Sequence, residues 1–164
     1  MNKLNHIAFI MDGNGRWGKN KNKGRNYGHL KGVETVKKIV GSSIKLKIPF
    51  ITFFVFSSEN WKRPKTEIKF LFKLIKNYFH KEIENVTKQG IKINILGETS
   101  KLPSDLKKTL IKCENLTKTN KNINVNLAIN YGAKNEILMA VKKSKKISLK
   151  NLEKNLYTKK MPNP

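Results

Sequence analysis

Phe50-Ile51-Thr52-Phe53-Phe54-Val55-Phe56 decides the fold. Seven residues, all β-branched or aromatic, run without a charge, which predicts a strand covered on both faces. Pro49 sets it off from a helix predicted over 29–47, where Val33, Val36, Ile39, Val40 and Ile44 recur at helical spacing. A polar loop from Ser57 to Lys65 follows. A second helix is then predicted over 66–89, with Ile68, Leu71, Phe72, Ile75, Tyr78, Phe79, Ile83 and Val86 on one stripe and Gly90 as its stop. Outward from this unit, residues 6–11 read as a buried strand, 91–97 as an alternating strand, and 123–129 as another. Between the last two lies a helix capped by Ser104 or Asp105, with Leu106, Leu110, Ile111 and Leu116 inward. Helices over 133–146 and 148–157 close the chain. Strands alternating with helices predict an α/β fold, one domain over 1–164, with a mostly parallel central sheet flanked by helices.

The 164 residues carry 35 Lys and Arg against 11 Asp and Glu, a formal charge of +24. Such a charge suggests a nucleic-acid-binding protein. Its distribution argues otherwise: all but Arg16, Arg25 and Arg63 are lysine, spread from Lys3 to Lys160, whereas base and phosphate readers favour arginine. Asn (20) and Ile (17) are abundant with Lys, as AT-rich coding would produce. Most lysines therefore read as solvated surface, which still attracts anionic substrates or an anionic membrane face. No apolar run reaches the ~20 residues of a membrane span, and the Met1-to-His6 terminus lacks a secretory apolar block. The lone Cys113 excludes an internal disulfide, and a cytoplasmic setting is expected.

In parallel sheets ligands bind beyond the carboxyl ends of the strands. Three polar clusters fall there: Asp12-Gly13-Asn14-Gly15-Arg16-Trp17, Ser57-Ser58-Glu59-Asn60-Trp61-Lys62-Arg63, and Asn130-Tyr131-Gly132. In the first, two glycines free backbone N–H groups for an anion, and Arg16 grips phosphate oxygens, with Arg25 and His29 close behind. Asp12 repels phosphate but can hold Mg²⁺ against one, which suggests a magnesium-diphosphate site. A tight turn with a capping aspartate explains the same residues without any ligand. In the second cluster Ser57, Asn60 and Arg63 suit phosphate binding or substrate orientation, with Trp61 as an apolar wall. A solvated loop with Trp61 on the core is the plainer reading. His80 reads as surface or packing, and Cys113 as structural.

Taken in order, these motifs resemble the cis-prenyltransferases: His6 through Trp17, Gly28-His29-x-x-Gly32, Phe56 through Pro64, and Asn130-Tyr131-Gly132, spanning residues 6 to about 140. Bacterial members make undecaprenyl diphosphate. The resemblance implies condensation of an allylic prenyl diphosphate, such as farnesyl diphosphate, with isopentenyl diphosphate. The diphosphate leaves, the isopentenyl double bond attacks the allylic carbon, and a proton departs to give a cis double bond.

By the same resemblance, Gly13, Asn14, Gly15 and Arg16, assisted by Arg25 and His29, hold the allylic diphosphate. Asp12 is the essential magnesium-linked aspartate, and Trp17 lines the apolar entrance. Asn60 matches a position often assigned as proton acceptor; a neutral amide is a very weak base, so positioning, or passing the proton to a diphosphate oxygen, is the easier role. Ser57, Ser58, Glu59, Trp61 and Arg63 match neighbouring functional positions, and Glu67 matches one that orders a loop. The strand at 50–56 and helix at 66–89 would wall an apolar tunnel; ordinary core packing explains them equally. Ala133 and Lys134 replace the family's glycine and arginine.

The family pattern continues past Pro164 into another strand and an Arg-Thr-Gly-Gly-Glu-like motif that serves isopentenyl diphosphate, magnesium and the homodimer contact. The chain is therefore expected to lack the last strand region and to show little turnover alone. An inactive prenyl-diphosphate-binding fragment or subunit remains the alternative, ahead of a nucleic-acid-binding protein.

Overall fold

The computed structural model describes residues 4–159 and 161–164. Met1, Asn2, Lys3 and Lys160, on which part of the terminus and lysine-spread readings falls, lie outside it. Four parallel strands form the sheet: β1 (His6–Ile10), β2 (Phe50–Ser57), β3 (Ile91–Leu96) and β4 (Ile123–Tyr131), in the order β1-β2-β4-β3. The helices are α1 (Asn14–Asn20), α2 (Gly24–Lys45), α3 (Lys65–Lys88), α4 (Ser104–Thr117), α5 (Ala133–Lys143) and α6 (Leu149–Asn155). A 3₁₀ turn, Ser58–Lys62, occupies the expected loop after β2, and a shorter one spans Thr99–Lys101.

The core forms where Phe53 of β2, Ile91 and Ile93 of β3, and Val125, Leu127 and Ile129 of β4 meet α2 and α3. α3 turns Ile68, Phe72, Phe79 and Val86 inward, one stripe at helical period, and ends before Gly90 at φ 68 as expected. The other sheet face is polar in its middle. Asn94 Nδ2 donates to Asn126 Oδ1 (2.9 Å), Asn126 Nδ2 donates to Thr52 Oγ1 (3.0 Å), and Thr52 meets His6 Nε2 (2.8 Å). His6 Nδ1 reaches the Pro162 carbonyl at 2.6 Å. That carbonyl only accepts, so Nδ1 is the donor of this contact.

Three local expectations change. β1 is not buried: it is an edge strand, with Ile10 80% exposed, because among the described residues no strand pairs with its outer side. At the opposite edge α4 covers β3: Thr117 Oγ1 and Glu114 Oε1 accept from the Ile93 and Ile95 N–H groups (3.1 and 2.7 Å), which removes open donors. α4 begins after Pro103 rather than on a Ser104 or Asp105 cap. It buries Leu106, Leu110, Cys113 and Thr117, a period that leaves Ile111 and Leu116 exposed. Burial pushes the Cys113 thiol up to about 11, as suits a structural cysteine.

Two compensating bulges lie at the carboxyl end of β2 and β4. Phe54 pairs with Ala128 but Phe56 with Ile129, which leaves Val55 unpaired; Ser57 then pairs with Tyr131, which leaves Asn130 unpaired. Each extra residue re-aims the side chains beyond it. Hence Phe56 joins Ile51 and Phe53 in the core despite the broken alternation.

Candidate active site

β1 ends at Ile10, and the chain turns through Asp12 and Gly13. Gly13 sits at φ 82, a left-handed conformation that suits glycine. Asp12 Oδ1 accepts from the Gly13 N–H at 2.6 Å and Oδ2 from Arg16 at 2.9 Å. The Gly13 N–H first and the Arg16 guanidinium second hold the exposed Asp12 carboxyl below its ordinary range. The first-turn N–H groups of a helix have no intrahelical partners, and no N-cap side chain supplies one for α1.

α1 folds tightly back on α2 through glycine. A Cβ on Gly28 would stand 1.8 Å from the Asn14 carbonyl oxygen, and one on Gly18 would stand 2.3 Å from that of Gly24. This contact brings α2's Arg25 and His29 toward α3, where they converge on Glu67. Arg25 Nε and Nη2 donate to its two oxygens (2.9 and 3.1 Å), His29 Nε2 lies 3.2 Å away and Arg63 Nη1 3.4 Å away. Glu67 is only 7% exposed. Burial pushes its carboxyl up, but the Arg25 and His29 hydrogen bonds prevail and the net direction is down. Burial also lowers His29, and its bond to Glu67 restrains that fall.

The 3₁₀ turn divides the second cluster. With three residues per turn, Ser57, Asn60 and Arg63 share one side, and Ser58 and Trp61 another. The first three line a cleft of ≈ 290 Å³ together with Asp12, Asn14 and His29. Asn60 Oδ1 accepts from the Ser57 N–H (3.1 Å), which leaves its NH₂ group for the cleft. Trp61 does not wall that cleft. Its ring packs edge-on against Phe56 and Phe72, and its indole N–H bonds Asn130. Ser58 lies against Gly132 and Glu59 is exposed. Trp17, 44% exposed, stacks on Tyr27 outside the cleft, and Gly15 packs under the Arg25 guanidinium.

Behind the cleft lies an apolar cavity of ≈ 100 Å³ between α2, α3 and the sheet. Met11, Val33, Val55 and Ile75 belong to the walls of both. The expected strand and helix walls are present, and α2 supplies a third. A charged cleft thus lies against a hydrocarbon-lined interior, with Met11, Val33, Val55 and Ile75 between them.

Residues 10–164 match the prenyltransferase family of undecaprenyl diphosphate synthases. The chain belongs to the cis-prenyltransferases. It is 41% identical to an isoprenyl transferase of Clostridium tetani over 97% of its own length and 67% of that protein's. It is 44% identical to a (2E,6E)-farnesyl-diphosphate-specific undecaprenyl diphosphate synthase of Vibrio parahaemolyticus, over 84% of this chain and 55% of that one. Among solved structures, lavandulyl diphosphate synthase from Lavandula x intermedia, in complex with dimethylallyl diphosphate, superposes with a TM-score of 0.90. The identity there is 28%, over 97% of this chain and 73% of that one. cis-Prenyl chain elongation is the chemistry of this family, and the parallel sheet flanked by helices is its fold.

Of the residues that gather here, Glu67 was matched to a loop-ordering position and Asn130 to the third polar cluster, but the contacts each makes were not expected. Glu67 had a readable signal: it stands four residues after Arg63, on one helix face. Asn130 had only its place at a strand end.

Proposed function

We propose that this chain binds an allylic prenyl diphosphate at the cleft and serves its condensation with isopentenyl diphosphate into a cis-polyprenyl diphosphate. The observation that carries this reading is that the cleft adjoins the apolar cavity: Asp12, Asn14, His29, Asn60 and Arg63 line a cleft that shares the walls Met11, Val33, Val55 and Ile75 with a hydrocarbon-lined space. An amphiphile with an anionic head and an apolar tail suits both parts at once.

Arg16, Arg25, His29 and the Gly13-Asn14-Gly15 turn hold the leaving diphosphate. The Arg25 and Arg63 guanidinium groups stay charged as negative charge grows on it, which stabilises the transition state. Asn60 uses its NH₂ group to orient substrate. With Oδ1 engaged by Ser57, the departing proton goes to a diphosphate oxygen.

One carboxylate fits Mg²⁺, which commonly takes one or two protein carboxylates and fills its other positions with water and phosphate oxygens. Asp12, exposed and with its oxygens now accepting from the Gly13 N–H and Arg16, is the carboxylate that would hold the ion. When bound, Mg²⁺ neutralises charge on the leaving diphosphate.

No helix among the described residues is long and apolar enough to cross a membrane. The family resemblance supports a cytoplasmic protein that works as a homodimer and meets the membrane at its surface. Sedimentation velocity and vesicle pelleting test those two points.

Calorimetry with farnesyl diphosphate and Mg²⁺ tests the site. Specific binding is expected, with Asp12→Ala weakening it at least about tenfold, the loss of one charge-mediated contact. Equal binding by Asp12→Ala would sink the assignment. Incorporation of labelled isopentenyl diphosphate into longer products then separates a condensing enzyme from a binding subunit.

A further inference from the structure

The Asn130-Tyr131-Gly132 motif reaches the rim, yet it walls neither the cleft nor the apolar cavity. Asn130 is the unpaired residue of the β4 bulge, 6% exposed, in a left-handed conformation at φ 50. Such a conformation persists where the surroundings fix it. Three hydrogen bonds do so. Trp61 Nε1 donates to Asn130 Oδ1 at 2.8 Å, Asn130 Nδ2 donates to the Glu98 carbonyl at 2.8 Å, and the Glu98 N–H donates to the Asn130 carbonyl at 3.3 Å. An indole N–H only donates and a carbonyl only accepts, so the amide has a single orientation.

Asn130 thereby joins the loop after β3 to the 3₁₀ turn. Two residues on, Gly132 leaves room for Ser58: a Cβ there would stand 2.4 Å from Ser58 Oγ. Ser58 and Trp61 are the back of the turn whose front carries Ser57, Asn60 and Arg63. The turn Ser58–Lys62 has no buried residue of its own, so core burial alone does little to fix its rotation. The Trp61 ring touches Phe56 and Phe72 edge-on, a contact that tolerates sliding; its hydrogen bond does not.

We infer that Asn130 is a positioning residue: by holding the Trp61 indole N–H from a bulge in β4, it sets the rotation of the turn and so the reach of Asn60 and Arg63 into the cleft. This rests on the proposed function only in taking the turn as part of the substrate site.

Asn130→Gly keeps the left-handed backbone, which glycine adopts freely, and removes both side-chain bonds. Trp61→Phe removes the donor and keeps an aromatic ring. Two quantities are read in the whole chain: exchange of the Trp61 indole N–H with solvent, assigned by its loss in Trp61→Phe, and the Kd for farnesyl diphosphate in magnesium buffer. Asn130→Gly is expected to speed indole exchange and raise Kd about tenfold, as loss of one buried hydrogen bond would. Trp61→Phe is expected to raise Kd similarly, and the double variant to add less than about twofold, because both remove the same bond.

A Kd unchanged in either single variant, or losses that multiply in the double, overturns the inference while the proposed function stands. Absence of farnesyl diphosphate binding by the unmodified chain overturns the proposed function and this inference with it.

Discussion

Glu67 places a buried carboxylate where a diphosphate would otherwise satisfy Arg25, His29 and Arg63, so in the free protein it neutralises the groups that would grip the substrate. Its folded pKa lies below the ordinary value of 4.5. Its contribution to stability is therefore present above that value and is lost as pH falls through the folded pKa. His29 is also depressed, below 6.5, first by burial. Its neutral form is the one the fold favours, and the stability this lends is complete above 6.5 and lost as pH falls through the folded value. The Glu67 bond works against that depression. Glu67→Gln is thus expected to lower the His29 midpoint further in an NMR titration and to cost about 2 kcal/mol of stability at neutral pH. A His29 midpoint that rises, or does not move, in Glu67→Gln would contradict the convergence of these groups on Glu67. The Arg63–Glu67 spacing was readable in the sequence. The convergence of Arg25 and His29 was not, because it depends on how closely α1 lets α2 approach α3.

At the scale of elements, that approach depends on glycine. Gly28 on α2 faces the Asn14 carbonyl with no space for a methyl group, whereas Gly41, on the same helix, meets nothing within 4 Å. Gly28→Ala is expected to destabilise by about 3 kcal/mol through a backbone clash, and Gly41→Ala to stabilise by about 0.5–1 kcal/mol through helix propensity. Thermal melts should move in opposite directions, by about 2–4 °C per kcal/mol for a chain of this size; like-signed shifts would show that α1 does not rest on α2 this way. Strands and helices with strong periodicity, β2, α3, β3 and β4, were legible from residue pattern alone. What escaped was set by partners distant in sequence. The bulges at Val55 and Asn130 exist only in the pairing of β2 with β4. The division of Ser57, Asn60 and Arg63 from Ser58 and Trp61 needs the 3₁₀ period, which a polar stretch does not announce. The β1 reading failed because an apolar run looks alike at a sheet's centre and at its edge.

Across the whole molecule, the two sheet faces do different work. One meets α2 and α3 over apolar side chains and lies against the cleft; the other runs a hydrogen-bond chain from Asn94 through Asn126 and Thr52 to His6 and Pro162. Neither face accounts for the charge of +24, and most of the described lysines are exposed. At 0.15 M salt the screening length is about 8 Å, so charges beyond that distance contribute little to holding an anion in the cleft. Affinity should then come from the few cations at the mouth. Replacing Lys142, Lys143, Lys145 and Lys146 together with Gln, none of which lines the cleft or the cavity, is expected to leave the Kd for farnesyl diphosphate within about twofold at that ionic strength. Arg63→Gln removes a single charge that lines the cleft and is expected to weaken binding about tenfold. If the quadruple variant loses as much as Arg63→Gln, the diffuse field holds the anion rather than the cleft, and binding should then be just as strong for an unrelated polyanion such as single-stranded DNA. If only Arg63→Gln loses affinity, the lysine excess is surface, and recognition resides in the cation that lines the cleft rather than in the diffuse field.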